Sequence, residues 1–258
     1  MHKKTHISIA KALFRKLGLP KEYEKIFVKA IVEPDNWRRR DPRRKHHYLQ
    51  YNTVLEYIKQ ARRAYINGDT STCLWCLGIA LHFIQDAFIP SPRTKRLREI
   101  HERLERKMES YKSGTLYMLN DAVNEGFKVN ISSPPKFIKR TLSDIQWIYD
   151  KQYLLETVVK TSALITAAVF DSKNPPIGLH EKYIMLKKSH NKRVLKASII
   201  SLISVVTGSA LMMSFITLSV LFFIIFYMIV PSLAYGKIVA SDKEFYEVEE
   251  EADWYGIK

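Results

Sequence analysis

Apolar residues recur at helical spacing along most of this chain. They fall three and four positions apart, with charged residues between them, as they do when one face of a helix is buried. The pattern predicts helices over about Thr5–Leu17, Lys21–Val32, Tyr48–Ile66, Thr70–Phe88, Arg93–Tyr111, Pro135–Tyr149 and Gln152–Phe170. Gly18, Pro20, Gly68-Asp69, Pro90, Pro92, Pro134-Pro135 and Pro175-Pro176 punctuate them. Asp69 before Thr70 is a natural N-cap. No alternation runs long enough to propose a strand, and no repeat is present. The expected fold is all-α, a multi-helix bundle over residues 1–175.

Ser198–Tyr235 departs from this pattern. Residues 198–236 contain no charged side chain, and Leu211 to Val230 is apolar apart from Ser214, Thr217 and Ser219. Roughly 20 apolar residues carry a helix across the hydrocarbon core of a bilayer, so a C-terminal transmembrane segment is predicted over Ala210–Val230. Residues 198–208 either lengthen that helix or form the first leg of a hairpin that turns at Gly208-Ser209. A basic segment, 176–197, precedes the apolar region 198–235 and carries Lys182, Lys187, Lys188, Lys192, Arg193 and Lys196. An acidic tail, 236–258, follows it. By the positive-inside bias the N-terminal side faces the cytoplasm. The expected location is therefore a membrane, with the N-terminal domain cytoplasmic. The lipid bilayer is the first partner expected, and each base near an anionic surface adds roughly 1 kcal/mol.

Charge sharpens this division. The formal net charge is +15, but residues 237–258 hold three lysines against seven acids, which leaves +19 on residues 1–197. A globular part this basic suits anionic partners: phospholipid head groups, nucleic acid or phosphorylated substrates. The plainer reading is a solvated lysine-rich surface. Cys73 and Cys76 are the only cysteines. They imply no disulfide framework and fit a reducing compartment, as two buried helix residues. The stretch MHKKTHISIAKALF reads as an amphipathic helix rather than a signal peptide. Nothing in the sequence indicates a protein partner.

Candidate chemistry concentrates between residues 6 and 105. His82-Phe-Ile-Gln-Asp86 and His101-Glu-Arg-Leu-Glu105 are both His-x-x-x-acid. On a helix, positions four apart lie on one face, so each pair offers an imidazole nitrogen and a carboxylate oxygen to one point, and zinc accepts both. A lone pair of this kind is most often a hydrogen-bonded couple. Here the apolar neighbours Ala80, Leu81, Phe83 and Ile84 make His82 and Asp86 polar intruders that need partners. His6, Asp35 and the doublet His46-His47 add ligand types upstream.

In this order the motifs resemble the zinc-dependent phospholipase C family, whose fold is shared with the S1/P1 nucleases. The resemblance rests on Thr5-His6-Ile-x-Ile-Ala10, Pro34-Asp35, His47-Tyr48, Leu77-Gly-Ile-Ala-Leu-His82-Phe-Ile-Gln-Asp86 with Pro90, and His101-x-x-x-Glu105. It covers residues 5 to 105. It implies an all-α fold holding one to three zinc ions. Asp35, His47, His82 and Asp86 would hold one ion, His6 and the bridging Asp86 a second, and His101 with Glu105 a third. Asp35 is also implied as a general base. Pro92 stands where family members place a further histidine, and Met1-His2 stands in place of their N-terminal tryptophan. Either His46 or His47 could be the ligand, with His47 favoured by the Tyr48 that follows it.

The activity this resemblance implies is hydrolysis of an anionic phosphodiester, a phospholipid in the first instance, by metal-activated water. Arg38, Arg39 and Arg40, with Arg43 and Arg44, lie between Asp35 and His47 and could clamp phosphate bidentately, or form a solvated basic loop. Two further functions stay open. One is a nuclease on the same scaffold, which the basic surface favours and which would need exposed aromatics for base stacking. The other is a non-catalytic membrane protein in which zinc, closed by four protein ligands, only ties helices together.

Overall fold

Helix is the only regular structure among the described residues, and they contain no strand. The computed structural model describes residues 1–40, 50–91, 94–109, 115–171, 174–214 and 224–257. The side chains of residues 38–40 and 210–214 are among those outside that description. The chain divides into two units, Met1–Lys173 and Asn174–Lys258.

The first unit is built around α4, Thr70–Ala87, whose residues from Cys73 to Ala87 are buried except Trp75. A helix apolar on all sides must be enclosed by others, and α2 (Glu24–Arg40), α3 (Tyr51–Ile66) and α8 (Lys151–Val169) pack against it. Asp69 caps α4, its carboxylate accepting from the Thr72 amide at 2.9 Å. Asp150 caps α8 in the same way through the Tyr153 amide. At the other end of α8, buried Arg62 of α3 donates to the carbonyls of Val169, at 2.9 Å, and Asp171, at 2.6 Å. A cation there complements the helix dipole. Burial pushes the Cys73 thiol up to about 12 and raises Cys76, which suits inert core residues rather than a redox pair.

Three elements of the first unit differ from the sequence expectation. α2 does not stop at Val32 but runs through Pro34 to Arg40. α7, Pro134–Ser143, ends six residues before Tyr149. Beyond it the Ile148 amide donates to the Phe88 carbonyl at 2.9 Å, at the C-terminal end of α4, instead of continuing a helix. α6, Thr115–Lys128, was not expected at all. Its interior Gly126 weakens the helical signal by about 1 kcal/mol against alanine. The glycine is needed for packing, because a Cβ there would lie 2.5 Å from the Ala163 Cβ of α8. α1, Lys3–Leu17, and α5, Lys95–Glu109, complete the unit.

The second unit is a long helix with a returning limb. α9 runs from Leu179 to Ser214 without a break at Gly208-Ser209. The return comprises a π-helical stretch, Ile224–Ile229, then α10, Val230–Ser241, and α11, Lys243–Trp254. Leu179 and Tyr183 of α9 bury against Phe245, Val248 and Ala252 of α11. Among the described residues no helix is long and apolar enough to cross a membrane. Residues 215–223 of the predicted span lie outside those residues.

Candidate metal centre

Four helices of the first unit deliver the candidate ligands: α1 carries His6, α2 carries Asp35, α4 carries His82 and Asp86, and α5 carries His101 and Glu105. Local sequence explains the closest approach. A Cβ on Gly78, one turn before His82, would lie 2.6 Å from the Ala30 Cβ and 3.0 Å from the Ile31 nitrogen. The glycine therefore lets α4 sit directly on α2. That contact puts His82 Nδ1 2.8 Å from the Ile31 carbonyl. Continuation of α2 through Pro34 then carries Asp35 to the same place, with its Oδ1 3.9 Å from His82 Nε2.

The hydrogen bonds fix which ring nitrogen carries the proton. A carbonyl only accepts, so His82 Nδ1 must donate to Ile31. His101 Nδ1 likewise donates to the Pro90 carbonyl at 2.9 Å. His6 requires one more step. Ser162 Oγ donates to the Val158 carbonyl at 2.7 Å, so it must accept from Gln85 Nε2 at 3.1 Å. The Gln85 amide oxygen then faces His6 Nδ1 at 2.6 Å and receives its proton. In the neutral ring the Nε2 of His6 and of His82 is then left with a lone pair.

Those lone pairs point at carboxylates. His6 Nε2 lies 3.2 Å from Asp86 Oδ1, and His82 Nε2 lies 3.5 Å from Asp86 Oδ2. The two rings stack with centroids 4.4 Å apart. Both Nε2 atoms are buried and make no hydrogen bond. Burial first, then the neighbouring His6, pushes His82 down to about 3 against the pull of Asp86, so the ring is neutral at physiological pH. A lone pair facing a carboxylate is repulsive unless a cation lies between them. Among the described residues His6, His82 and Asp86 form a group whose ligand atoms all fall within 4.8 Å of one another. Donation of Nδ1–H to an oxygen, with Nε2 facing inward, is the arrangement that orients metal-binding histidines.

The second predicted pair lies close by. His101 Nε2 is 3.3 Å from Glu105 Oε1. Between the two pairs sits a cation of the chain itself, the Met1 amino group, 2.5 Å from Asp86 Oδ1 and 2.9 Å from Glu105 Oε1. Burial alone would depress this amine, but Asp86 and Glu105 outweigh it and raise it to about 10. Burial opposes ionisation of Glu105 as well, yet His101 and the Met1 amine hold it well below the usual carboxylate range. His2 reaches only the edge, its Nε2 3.9 Å from Glu105 Oε2.

The structure thus brings together His6, Asp35, His82, Asp86, His101 and Glu105. His46 and His47 lie outside the described residues, as do the side chains of Arg38, Arg39 and Arg40 at the end of α2. Two contributors escaped the sequence reading. One is the Met1 amino group, which lies between Asp86 and Glu105. Gln85, 0% exposed, is the other, and its sequence signal is an uncharged polar residue in an apolar run, directly before Asp86.

No family model matches the chain, and no curated protein and no solved structure matches it either. The class that the fold and site define is an all-α protein with a His/Asp cluster able to hold a metal ion.

Proposed function

We propose that the first unit is a zinc-dependent phosphodiester hydrolase of the phospholipase C type, attached to a membrane through the second unit. One observation carries the metal: His6 Nε2 and His82 Nε2 are buried, make no hydrogen bond and face the Asp86 carboxylate. Neutral imidazole nitrogens beside carboxylate oxygens are zinc's donor types. His6, His82 and Asp86 would hold one ion, with Asp35 at its accessible edge, and His101 with Glu105 would hold another. Zinc bound there supplies hydroxide near neutral pH and neutralises charge on a phosphodiester.

The chain's own groups divide the remaining work. His6, His82 and Asp86 are closed off from solvent, whereas the Asp35 side chain is 29% exposed. Asp35 therefore marks the side from which substrate and water reach the cluster. A carboxylate there can accept the proton of an attacking water. A site closed by four protein ligands would be structural, and one with an accessible side suits catalysis. Arg38, Arg39 and Arg40 follow Asp35 on the same helix and are proposed to receive the phosphate. The charge-free run of residues 198–236 favours a lipid substrate over a nucleic acid.

The test uses the full chain in detergent. Zinc is counted by elemental analysis in the parent and in His82→Ala, and turnover is followed on phospholipid, single-stranded DNA and a generic phosphodiester. Zinc in the parent, its loss in the variant and turnover of phospholipid are expected. Preference for single-stranded DNA would transfer the site to the nuclease reading. Stoichiometric zinc with no turnover of any diester would make the metal structural. Equal zinc in parent and variant would remove the metal centre altogether.

A further inference from the structure

We infer that the second unit is a helical hairpin inserted in an anionic phospholipid bilayer, with both of its ends on the same face of the membrane. This rests on the reading of that unit as the membrane attachment, and it takes the returning form of the two that the sequence leaves open. The two limbs are antiparallel. Ser198 Oγ meets the Tyr235 hydroxyl at 3.1 Å, and farther along α9 Ser209 bonds to the Tyr227 hydroxyl. Near the base His190 Nδ1 lies 2.6 Å from Asp242 Oδ2. Position rises along α9 as it falls along the return, and α9 continues past Gly208-Ser209 to Ser214.

The hairpin is inside out for a protein in water. The residues of α9 that bury against the return include Ala197, Ser204 and Gly208, all small. The large apolar side chains face outward: Ile199 is 48% exposed, Leu202 64%, Ile203 59% and Val206 61% on α9, with Leu233 62% on the return. Water would favour the reverse. A bilayer favours this arrangement, because lipid-facing side chains are apolar while small residues and hydroxyl bonds join the helices. Pro231, which donates no amide hydrogen, follows the π-helical stretch Ile224–Ile229. Such irregularities are tolerated in membrane helices. The described leg from Ser198 to Ser214 reaches about 25 Å at 1.5 Å per residue, less than the roughly 30 Å of the hydrocarbon core, so these residues enter the bilayer without crossing it.

Charge resumes at the base of both limbs, as a head-group layer requires. An open groove of about 440 Å³ on α9 is lined by Ile184, Lys187, Lys188, Asn191, Lys192 and Leu195. Three ammonium groups beside two apolar side chains suit anionic head groups above acyl chains. On the return, Lys237 and Lys243 follow the uncharged stretch.

Single cysteines test the topology in the full chain, since the native Cys73 and Cys76 are buried. Ile177→Cys lies before the hairpin, Leu202→Cys on its outer face and Lys243→Cys after it. Membranes carrying each variant are treated with a membrane-impermeant maleimide as right-side-out and as inverted vesicles. Ile177→Cys and Lys243→Cys should label in the same vesicle orientation, and Leu202→Cys should lose label in both. Labelling of the two flanking sites in opposite orientations overturns the hairpin while leaving membrane attachment intact. Leu202→Cys as reactive as Ile177→Cys overturns the insertion. Recovery of the chain in the soluble fraction overturns the attachment as well. A Leu202→Cys disulfide between copies in detergent-free solution would assign the outer face to a second copy and overturn the lipid assignment.

Discussion

Gly78→Ala tests the packing that builds the candidate metal centre without touching any candidate ligand. A Cβ at Gly78 would stand 2.6 Å from the Ala30 Cβ, and ordinary contact begins near 3.4 Å, so α4 and α2 must separate locally by about 0.8 Å. The Ala30 contact is a methyl on a rigid stem with Ile31 backbone beside it, so no flexible side chain can swing away. Overpacking of this kind costs about 1–3 kcal/mol. Alanine returns about 1 kcal/mol in helix propensity. The His82–Ile31 bond, 2.8 Å long, would stretch to about 3.6 Å if the helices part along it, which no longer counts as a hydrogen bond. Its loss adds about 1 kcal/mol. The net expectation is a destabilisation of about 1–3 kcal/mol, or a Tm lower by roughly 2–12 °C for a unit of this size. Zinc affinity should fall about 10–100-fold, since His82 loses the partner that orients it.

The two effects are read separately. Thermal melts in chelator report packing alone, and competition with a chromogenic chelator reports zinc affinity. An unchanged or higher Tm would show that α2 and α4 are not in tight contact at Gly78. A lower Tm with parental zinc affinity would show that the Ile31 carbonyl does not orient His82 for a metal.

The other predictions address one group each. Gln85→Leu strands His6 Nδ1 and disturbs Ser162, so it should cost about 1–3 kcal/mol in chelator melts and about 10–100-fold in zinc affinity, while Gln85→Glu, which keeps an acceptor, should restore most of the affinity. Asp35→Asn keeps shape and an oxygen donor but removes charge and basicity, so kcat on a phosphodiester should fall about 10²–10⁴-fold with a much smaller change in KM. Asp242 is held below the usual carboxylate range: burial would raise it, but His190 and Arg193 outweigh burial. A depressed folded-state value contributes stability above the unfolded value near 4, which is lost as pH falls through the folded one. Melts of the detergent-solubilised chain should therefore show an acid-side loss that shrinks in Asp242→Asn.

Much of the candidate site was legible because its spacing is local. His82 with Asp86 and His101 with Glu105 meet by helical geometry alone, and the sequence shows that directly. The joining of α1 and α2 to α4 was not legible by periodicity. It depends on Gly78 meeting Ala30, a contact between residues far apart in sequence. Extension of α2 through Pro34 was concealed by the ordinary rule that proline ends a helix, although Asp35 reaches His82 only because that rule yields to packing. α6 was concealed in the same manner by Gly126, a poor helix former kept because α8 passes too close for any side chain.

The second unit shows the complementary limit. Its lack of charge over residues 198–236 announced a segment suited to lipid, but composition is the same for a span and for a hairpin. What separates them is direction: which side chains face the partner helix and which face out. Ala197, Ser204 and Gly208 turn inward and Ile199, Leu202, Ile203 and Val206 turn outward, a choice made by the returning limb through Tyr227 and Tyr235. The candidate metal centre obeys the same logic. Two histidines and an aspartate in an apolar core could have paired with one another as donors and acceptors. The Ile31 carbonyl and the Gln85–Ser162 chain instead take the Nδ1 protons and leave both lone pairs facing Asp86. A residue type is written in the sequence, whereas the direction of a lone pair or a methyl group is set by the fold, and both inferences about this protein rest on direction.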